Sequence, residues 1–433
     1  MKLSKSIVVV LVNLVVCLLL VEGISAIALR SLTGRWISKS GFVGQQLAAE
    51  GERGADAPDE AALAADLDAP RWILHPFVGF ARNPEALVHK LNDRPVDLPV
   101  NTHGFFGPSP LIRARDDRFV VLVTGGSMAA EMFLDARHVL AERLAALPDA
   151  MGKEMVIVST ALGGVKQPQQ LMGLSYFLSL GAHYDVVVNL DGFNEVVLPL
   201  VENHQLGVYP FFPRNWIAYS STSVDLGQAS LYGRTAGLRA RLRERVRRLA
   251  GSWSARSYAG LALWQLRQRS LEAELLDLDQ QLREAIASEE LSPQQRGPKY
   301  PKKGPKKMRE DLVANWSRSS AQMLTLSRSA GIDYFHFLQP NQYLEGSKPL
   351  SDWESQYAFN PHTPYAPKAR DGYPLLIDAG GELRRGGVPF FDLTMVYRDV
   401  TESLYKDTCC HVNREGYEIL AGAIADAVVD APN

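Results

Sequence analysis

The sequence predicts an α/β protein built on a doubly wound parallel sheet. Three observations predict it. FVVLVT (119–124) is a continuous apolar run that ends in Gly125-Gly126-Ser127 and then turns helical. Two more runs of that kind, MVIVSTAL (155–162) and YDVVVNLDG (184–192), follow at strand–helix–strand spacing. Runs of this type suit strands buried on both faces, and the alternation suits parallel crossovers.

The chain opens differently. Met1 to Lys5 carries two lysines, and SIVVVLVNLVVCLLLVEGISAIAL then runs apolar to Leu29, broken by Asn13 and Glu22. Residues 1–29 fit a transmembrane anchor or a signal peptide, with Ala26-Ile27-Ala28 as a weak cleavage site. The length favours an uncleaved anchor. Lys2 and Lys5 favour a cytoplasmic N-terminus, but Arg30, Arg35 and Lys39 weaken that charge bias. Residues 30–70 read as a linker rich in Ala, Gly, Asp and Glu. Residues 71–115, with HPFVGF and NTHGFFGP, read as a short-stranded lead-in.

The first part of the sheet domain then spans 116–230. Its helices are expected from about Met128 to Leu147 and through LMGLSYFLSLG. Its last stretch, LPLVENHQLGVYPFFPRNWIAYSSTSVDLGQ, is a long aromatic loop. Residues 231–329 read as a helical insertion. Its first part is basic, from Arg239 to Arg248, and Leu271, Leu275, Leu278 and Leu282 then repeat at 4-3-4 spacing, which makes an amphipathic face. The sheet pattern returns over 330–433 with IDYFHFLQP and VPFFDLT. A last helix capped by Asn413 buries Tyr417, Leu420, Ile424 and Val428.

Composition excludes some classes. Formal net charge is −2, which argues against a nucleic-acid partner. Cys17 lies in the apolar segment. Cys409 and Cys410 are adjacent and lack metal-ligand spacing, so they read as free, buried thiols and no metal is expected. His75, His103, His336 and His362 also make no metal-site spacing. No cofactor is expected, and the oligomeric state is open.

Ser127, Gly163-Gly164, Asn194 and His411 each follow a strand. In open parallel sheets ligands bind outside the strands' carboxyl ends, so the topology can bring these four together. Their types fit acyl transfer. Ser127 is the candidate nucleophile and His411 its base. The Ser127 N–H, a glycine N–H at 163 or 164 and the Asn194 amide are candidate oxyanion donors. Taken singly, Gly-Gly-Ser is also an ordinary strand-to-helix turn, and a histidine before a helix is often a capping or surface residue.

The ordered set GGS, ALGG, DGFNE and a near-terminal His before a helix resembles the SGNH/GDSL hydrolase superfamily, over about 116–230 and 330–433. The lead-in resembles that of envelope-associated members with an N-terminal anchor. The resemblance implies a flavodoxin-like three-layer α/β/α sandwich. It implies ester hydrolysis or O-acyl transfer through Ser127 and His411, with Gly164 or Gly163 and Asn194 at the oxyanion. Two departures stand out. Gly126 replaces the usual Asp before the serine. The supporting acid normally lies three residues before the histidine, where Thr408 stands; Asp407 lies four before. Either a bulge brings Asp407 to the ring, or the pair is a Ser-His dyad. Tyr209, Phe211, Phe212 and Trp216 can stack on sugars or cover the sheet edge. Gln339 and Asn341 end a strand at the ligand edge and are candidate substrate contacts, or turn residues. The expected protein is membrane-anchored and extracytoplasmic (periplasmic), with an acylated small-molecule or glycan substrate. The rival expectation is a non-catalytic glycan-binding envelope protein with the same fold.

Overall fold

The computed structural model describes residues 5–34, 36–56, 72–85, 90–91, 94–95, 98–220, 226–288, 291–301 and 304–431. The chain forms two compact units. One comprises residues 1–53, 59–64 and 224–288; the other holds 54–58, 65–223 and 289–433.

The second unit is α/β. A hairpin of β1 (Trp72–His75) and β2 (Gly79–Arg82) leads in. The main sheet has five parallel strands: β3 (Arg118–Gly125), β4 (Glu154–Ser159), β5 (Val186–Asp191), β6 (Asp333–Leu338) and β7 (Phe390–Asp392). Their order is β4-β3-β5-β6-β7. Register aligns Gly125 with Leu190 and Asp191 with Leu338, so the carboxyl ends form one edge. β3 and β5 are largely apolar because they lie inside the sheet, with Thr124, Asn189 and Asp191 as buried polar residues near their ends. Every residue of β5 is buried, and so is every residue of β3 after Arg118.

The helices of this unit are α3 (Ser127–Leu144), α4 (Gln169–Ser179), α5 (Phe193–Val196), α8 (Gly304–Ser329), α9 (Tyr365–Arg385) and α10 (Arg414–Val429). α3 packs on α10, and α8 packs on α4 and α9. Asn413 caps α10 as expected: its Oδ1 accepts the Gly416 N–H at 2.9 Å. Tyr417, Leu420, Ile424 and Val428 are buried.

The first unit is helical: α1 (Lys5–Thr33), α2 (Lys39–Asp56), α6 (Leu226–Gly251) and α7 (Tyr258–Ser288). Val12–Thr33 of α1 is long and apolar enough to cross a membrane. Leu271 and Leu278 of α7 bury against Leu238 and Leu242 of α6, with Leu275 beside them, which is the use the 4-3-4 leucine spacing called for. Arg239 pairs with Asp279 at 3.0 Å, and Arg245 lies over the Trp264 ring.

Two expectations need correction. The stretch expected as linker is helical from Lys39 to Asp56, because Phe42 buries against Leu29, Leu249 and Leu261. The stretch 57–70 lies outside the described residues. The helical insertion also ends before residue 329. α8 belongs to the α/β unit, where Trp316 is fully buried in the main core.

Candidate active site

β3 ends in two glycines because the turn leaves no room for side chains. Gly125 has φ +146°, and a Cβ there would strike the Leu190 carbonyl. A Cβ on Gly126 would collide with Asn194 Nδ2. The bare turn thus lets Asn194, on α5 after β5, lie against the residue that precedes Ser127. Ser127 begins α3 and is half-buried.

Asn194 uses one amide N–H to hold the Val165 carbonyl at 2.8 Å. An amide has two N–H groups, so one stays available for an oxyanion. Val165 follows Gly163-Gly164, in a turn closed by its own N–H on the Leu162 carbonyl at 3.2 Å. Gly164 has φ +79°, and the Arg214 side chain covers the place a Cβ would take. Three of the four expected segments therefore meet at the sheet edge.

A buried network fixes this edge from below. Asp191, the last residue of β5, accepts from Trp316 Nε1 at 2.6 Å and from Asn189 Nδ2 at 3.0 Å, and lies 2.9 Å from His336 Nε2. His336 Nδ1 meets Ser320 Oγ at 2.8 Å, so this histidine is a satisfied core residue. Glu195 accepts the Gly192 N–H at 2.8 Å and the Gln167 N–H at 3.2 Å. Burial, with Asp191 close by, pushes its carboxyl up to about 8.

His411 lies in the loop before α10. The loop closes on itself: Tyr405 bridges Val412, and Lys406 N–H donates to the His411 carbonyl at 3.0 Å. Asp407 does reach the ring, since its Oδ2 is hydrogen-bonded to His411 Nδ1. Its Oδ1 accepts the N–H groups of Cys409, Cys410 and His411 at 3.0, 3.1 and 3.1 Å. The extra residue is absorbed in a tight turn wrapped round the carboxylate. His411 Nε2 is buried without a hydrogen-bond partner and lies 4.0 Å from Glu131 Oε1. Glu131 stands four residues after Ser127, on the same face of α3. Lys406 Nζ and the Tyr417 hydroxyl, the latter at 3.1 Å, bind Glu131 Oε2.

These charges set the histidine. Burial lowers the His411 pKa. Asp407, Cys410 and Glu131 outweigh burial and raise it to about 10. Burial would raise Asp407, but the His411 and Lys406 charges and the hydrogen bonds hold it below the usual carboxylate range.

Sequence reading missed Glu131 and the bracing role of a second set of residues. Glu131 could have been found as the residue one helical turn from Ser127. The second set braces the His411 loop. Asn341 Nδ2 donates to the Cys409 carbonyl at 3.1 Å, Gln342 Nε2 to the Asp407 carbonyl at 2.9 Å and the Tyr343 hydroxyl to the Thr408 carbonyl at 2.6 Å. This corrects the expectation for Asn341. It is buried, its Oδ1 accepts the Tyr343 N–H at 2.9 Å, and its amide holds the loop rather than a substrate. Gln339 is buried too, with its backbone N–H on the Asp191 carbonyl at 2.9 Å.

The aromatics form a separate cluster. Tyr209 and Phe211 ring centroids lie 5.2 Å apart, and Phe212 and Trp216 5.4 Å apart. Phe211, Phe212 and Trp216 line a groove of about 450 Å³ with His75, Phe77 and Met172; neither Ser127 nor His411 lines it. Among the described residues, Cys409, Cys410 and His411 bring three metal-ligand atoms within 4.8 Å of one another. His411 Nδ1 is already committed to Asp407, and the two buried thiols, neither in a disulfide, lie 3.4 Å from each other.

The second amide N–H of Asn194 makes a measurable prediction. If it serves an oxyanion, Asn194→Ala should lower kcat on an ester by ~10²–10³ with little change in KM, because such a donor acts mainly on the transition state. Steady-state kinetics check this; a change confined to KM makes Asn194 a ground-state contact. No family model and no curated protein matches the chain.

Proposed function

We propose that the chain is a membrane-anchored serine esterase or O-acyltransferase of the SGNH type. One observation carries the reading. An Asp407–His411 pair presents a buried, unbonded Nε2 beside the helix that begins with Ser127. The strand order matches flavodoxin-like sheets, and the packing of α3 with α10 and of α8 with α4 and α9 fits a three-layer α/β/α arrangement.

In this mechanism Ser127 Oγ attacks the ester carbonyl carbon while His411 Nε2 takes its proton. Asp407 holds Nδ1–H and offsets the imidazolium charge. The oxyanion receives the Asn194 amide and backbone N–H groups at Ser127 and Gly164. The proton on Nε2 passes to the leaving alcohol, and a serine ester remains. Water or an acceptor hydroxyl, deprotonated by the same nitrogen, then releases the acyl group. The anchor and the family resemblance together point to an acylated envelope glycan outside the cytoplasm as substrate. The aromatic groove favours a second reading, in which the protein only binds glycan. A fluorophosphonate separates the two: labelling at Ser127 supports the enzyme, and an unreactive Ser127 supports the binding protein.

The charges around His411 also predict a pH dependence. His411 must lose its proton to act as base, and its pKa is about 10. The kcat/KM should therefore climb with pH through the neutral range. Glu131→Gln removes a negative charge that favours imidazolium, so the climb should move to lower pH. A pH–rate profile unchanged by Glu131→Gln contradicts this. The sign for stability follows. The protonated His411 contributes fully below the unfolded value of 6.5, and that contribution fades as pH rises toward about 10.

A further inference from the structure

α1 carries a single acidic residue among its apolar ones, Glu22. Its carboxylate accepts the Tyr258 N–H at 2.9 Å, the Ala259 N–H at 3.3 Å and the Ser257 hydroxyl, and lies 3.7 Å from Lys39 Nζ. Glu22 therefore caps the start of α7, whose first N–H groups have no partners inside their own helix. Eleven residues after Tyr258, Arg269 of α7 donates to the Leu32 carbonyl. The two helices thus run side by side and parallel from Glu22 and Tyr258 to Leu32 and Arg269. Between those points Leu29 and Leu261 bury against Phe42 and Leu249.

A hydrocarbon core about 30 Å thick needs about 20 helical residues. Counted from Ile7, where the apolar run opens, that reaches roughly residue 26. Glu22 and the first turn of α7 then fall inside it. The outward residues at this height include large apolar ones on both helices, with the exposed Arg256 and Arg267 among them, whose long stems can carry their charge to the headgroups. Ile24 and Ile27 on α1 are exposed, Leu263 and Leu266 on α7 are 68% and 53% exposed, and Trp253 just before α7 is 79% exposed. These residues continue the exposed apolar surface of Val12 to Val21.

We propose that the first three turns of α7 are seated in the membrane boundary beside α1, and that the partner of this face is a lipid bilayer. The Glu22 cap makes the arrangement possible. Backbone N–H groups and a carboxylate are each costly in lipid, and here they satisfy one another. The segment after Glu22 is then part of the folded unit, so α1 is retained. The proposal rests on α1 lying in a membrane, and the test separates the two claims.

The full chain is placed in phosphatidylcholine vesicles, in a Cys17→Ser background where the two remaining thiols are buried. Spin labels are attached after Val16→Cys, Leu263→Cys, Leu266→Cys or Leu276→Cys. The Leu263 and Leu266 sites should behave like the Val16 site, open to oxygen and shielded from a nickel chelate. The Leu276 site, also exposed but further along α7, should show the reverse. Lipid access at the Val16 site with nickel access at the Leu263 and Leu266 sites overturns the seat and leaves the anchor standing. Nickel access at the Val16 site overturns both. In the same vesicles Glu22→Leu should speed amide exchange at Tyr258 and Ala259 by about tenfold. Unchanged exchange there also overturns the proposal.

Discussion

Ser127→Ala should fold like the parent and lose ester turnover by about 10⁴-fold or more. Folding is safe because Ser127 is half-buried at the first position of α3 and alanine is the best helix former. Activity is not, because in the proposed mechanism Oγ is the atom that forms the new bond. The residual rate should come from the oxyanion donors and substrate binding alone. Circular dichroism and turnover of one activated ester check both halves. Parent-like turnover by the alanine variant sinks the serine mechanism.

The second large effect belongs to Asp407. Its Oδ2 meets His411 Nδ1, so once the imidazolium loses a proton the one that stays is held on Nδ1, and Nε2 is the base of the proposed mechanism. Asp407→Asn keeps an oxygen for the three loop N–H groups on Oδ1. It places an amide donor against Nδ1, which moves the ring proton to Nε2 and leaves the base with the wrong tautomer. The kcat should fall by about 10⁴. His411→Ala should be comparably severe. A mild Asp407→Asn, below about tenfold, beside a dead His411→Ala means a Ser-His dyad. The carboxylate would then serve the loop's three N–H groups and not the ring.

The sheet was legible because its inner strands are mostly apolar runs bounded by turn residues. The fifth strand was harder. VPFFDLT predicts seven residues, yet only Phe390–Asp392 pair, at a sheet edge that asks little of sequence. The Asp407 contact could not be read from spacing, because it depends on one carboxylate oxygen gathering three N–H groups and so tightening the loop. Asn341 reads as a pocket residue from sequence because it follows a strand at the ligand edge, and nothing local marks Gln342 and Tyr343 beside it as braces of the His411 loop. Their partners lie 65 to 68 residues later, and only the fold brings them together. The α2 helix was hidden by a composition that suits a linker, and it is held by one buried aromatic, Phe42.

The central claim is that Ser127 carries an acyl group during turnover. The direct measurement is the intact mass of the full chain after incubation with an activated acetyl ester and acid quench, followed by peptide mapping. The account predicts one added acetyl group on the peptide that holds Ser127, absent in Ser127→Ala and longer-lived in His411→Ala if any forms. Ester turnover with no acyl group on that peptide, or with one on another residue, would contradict it.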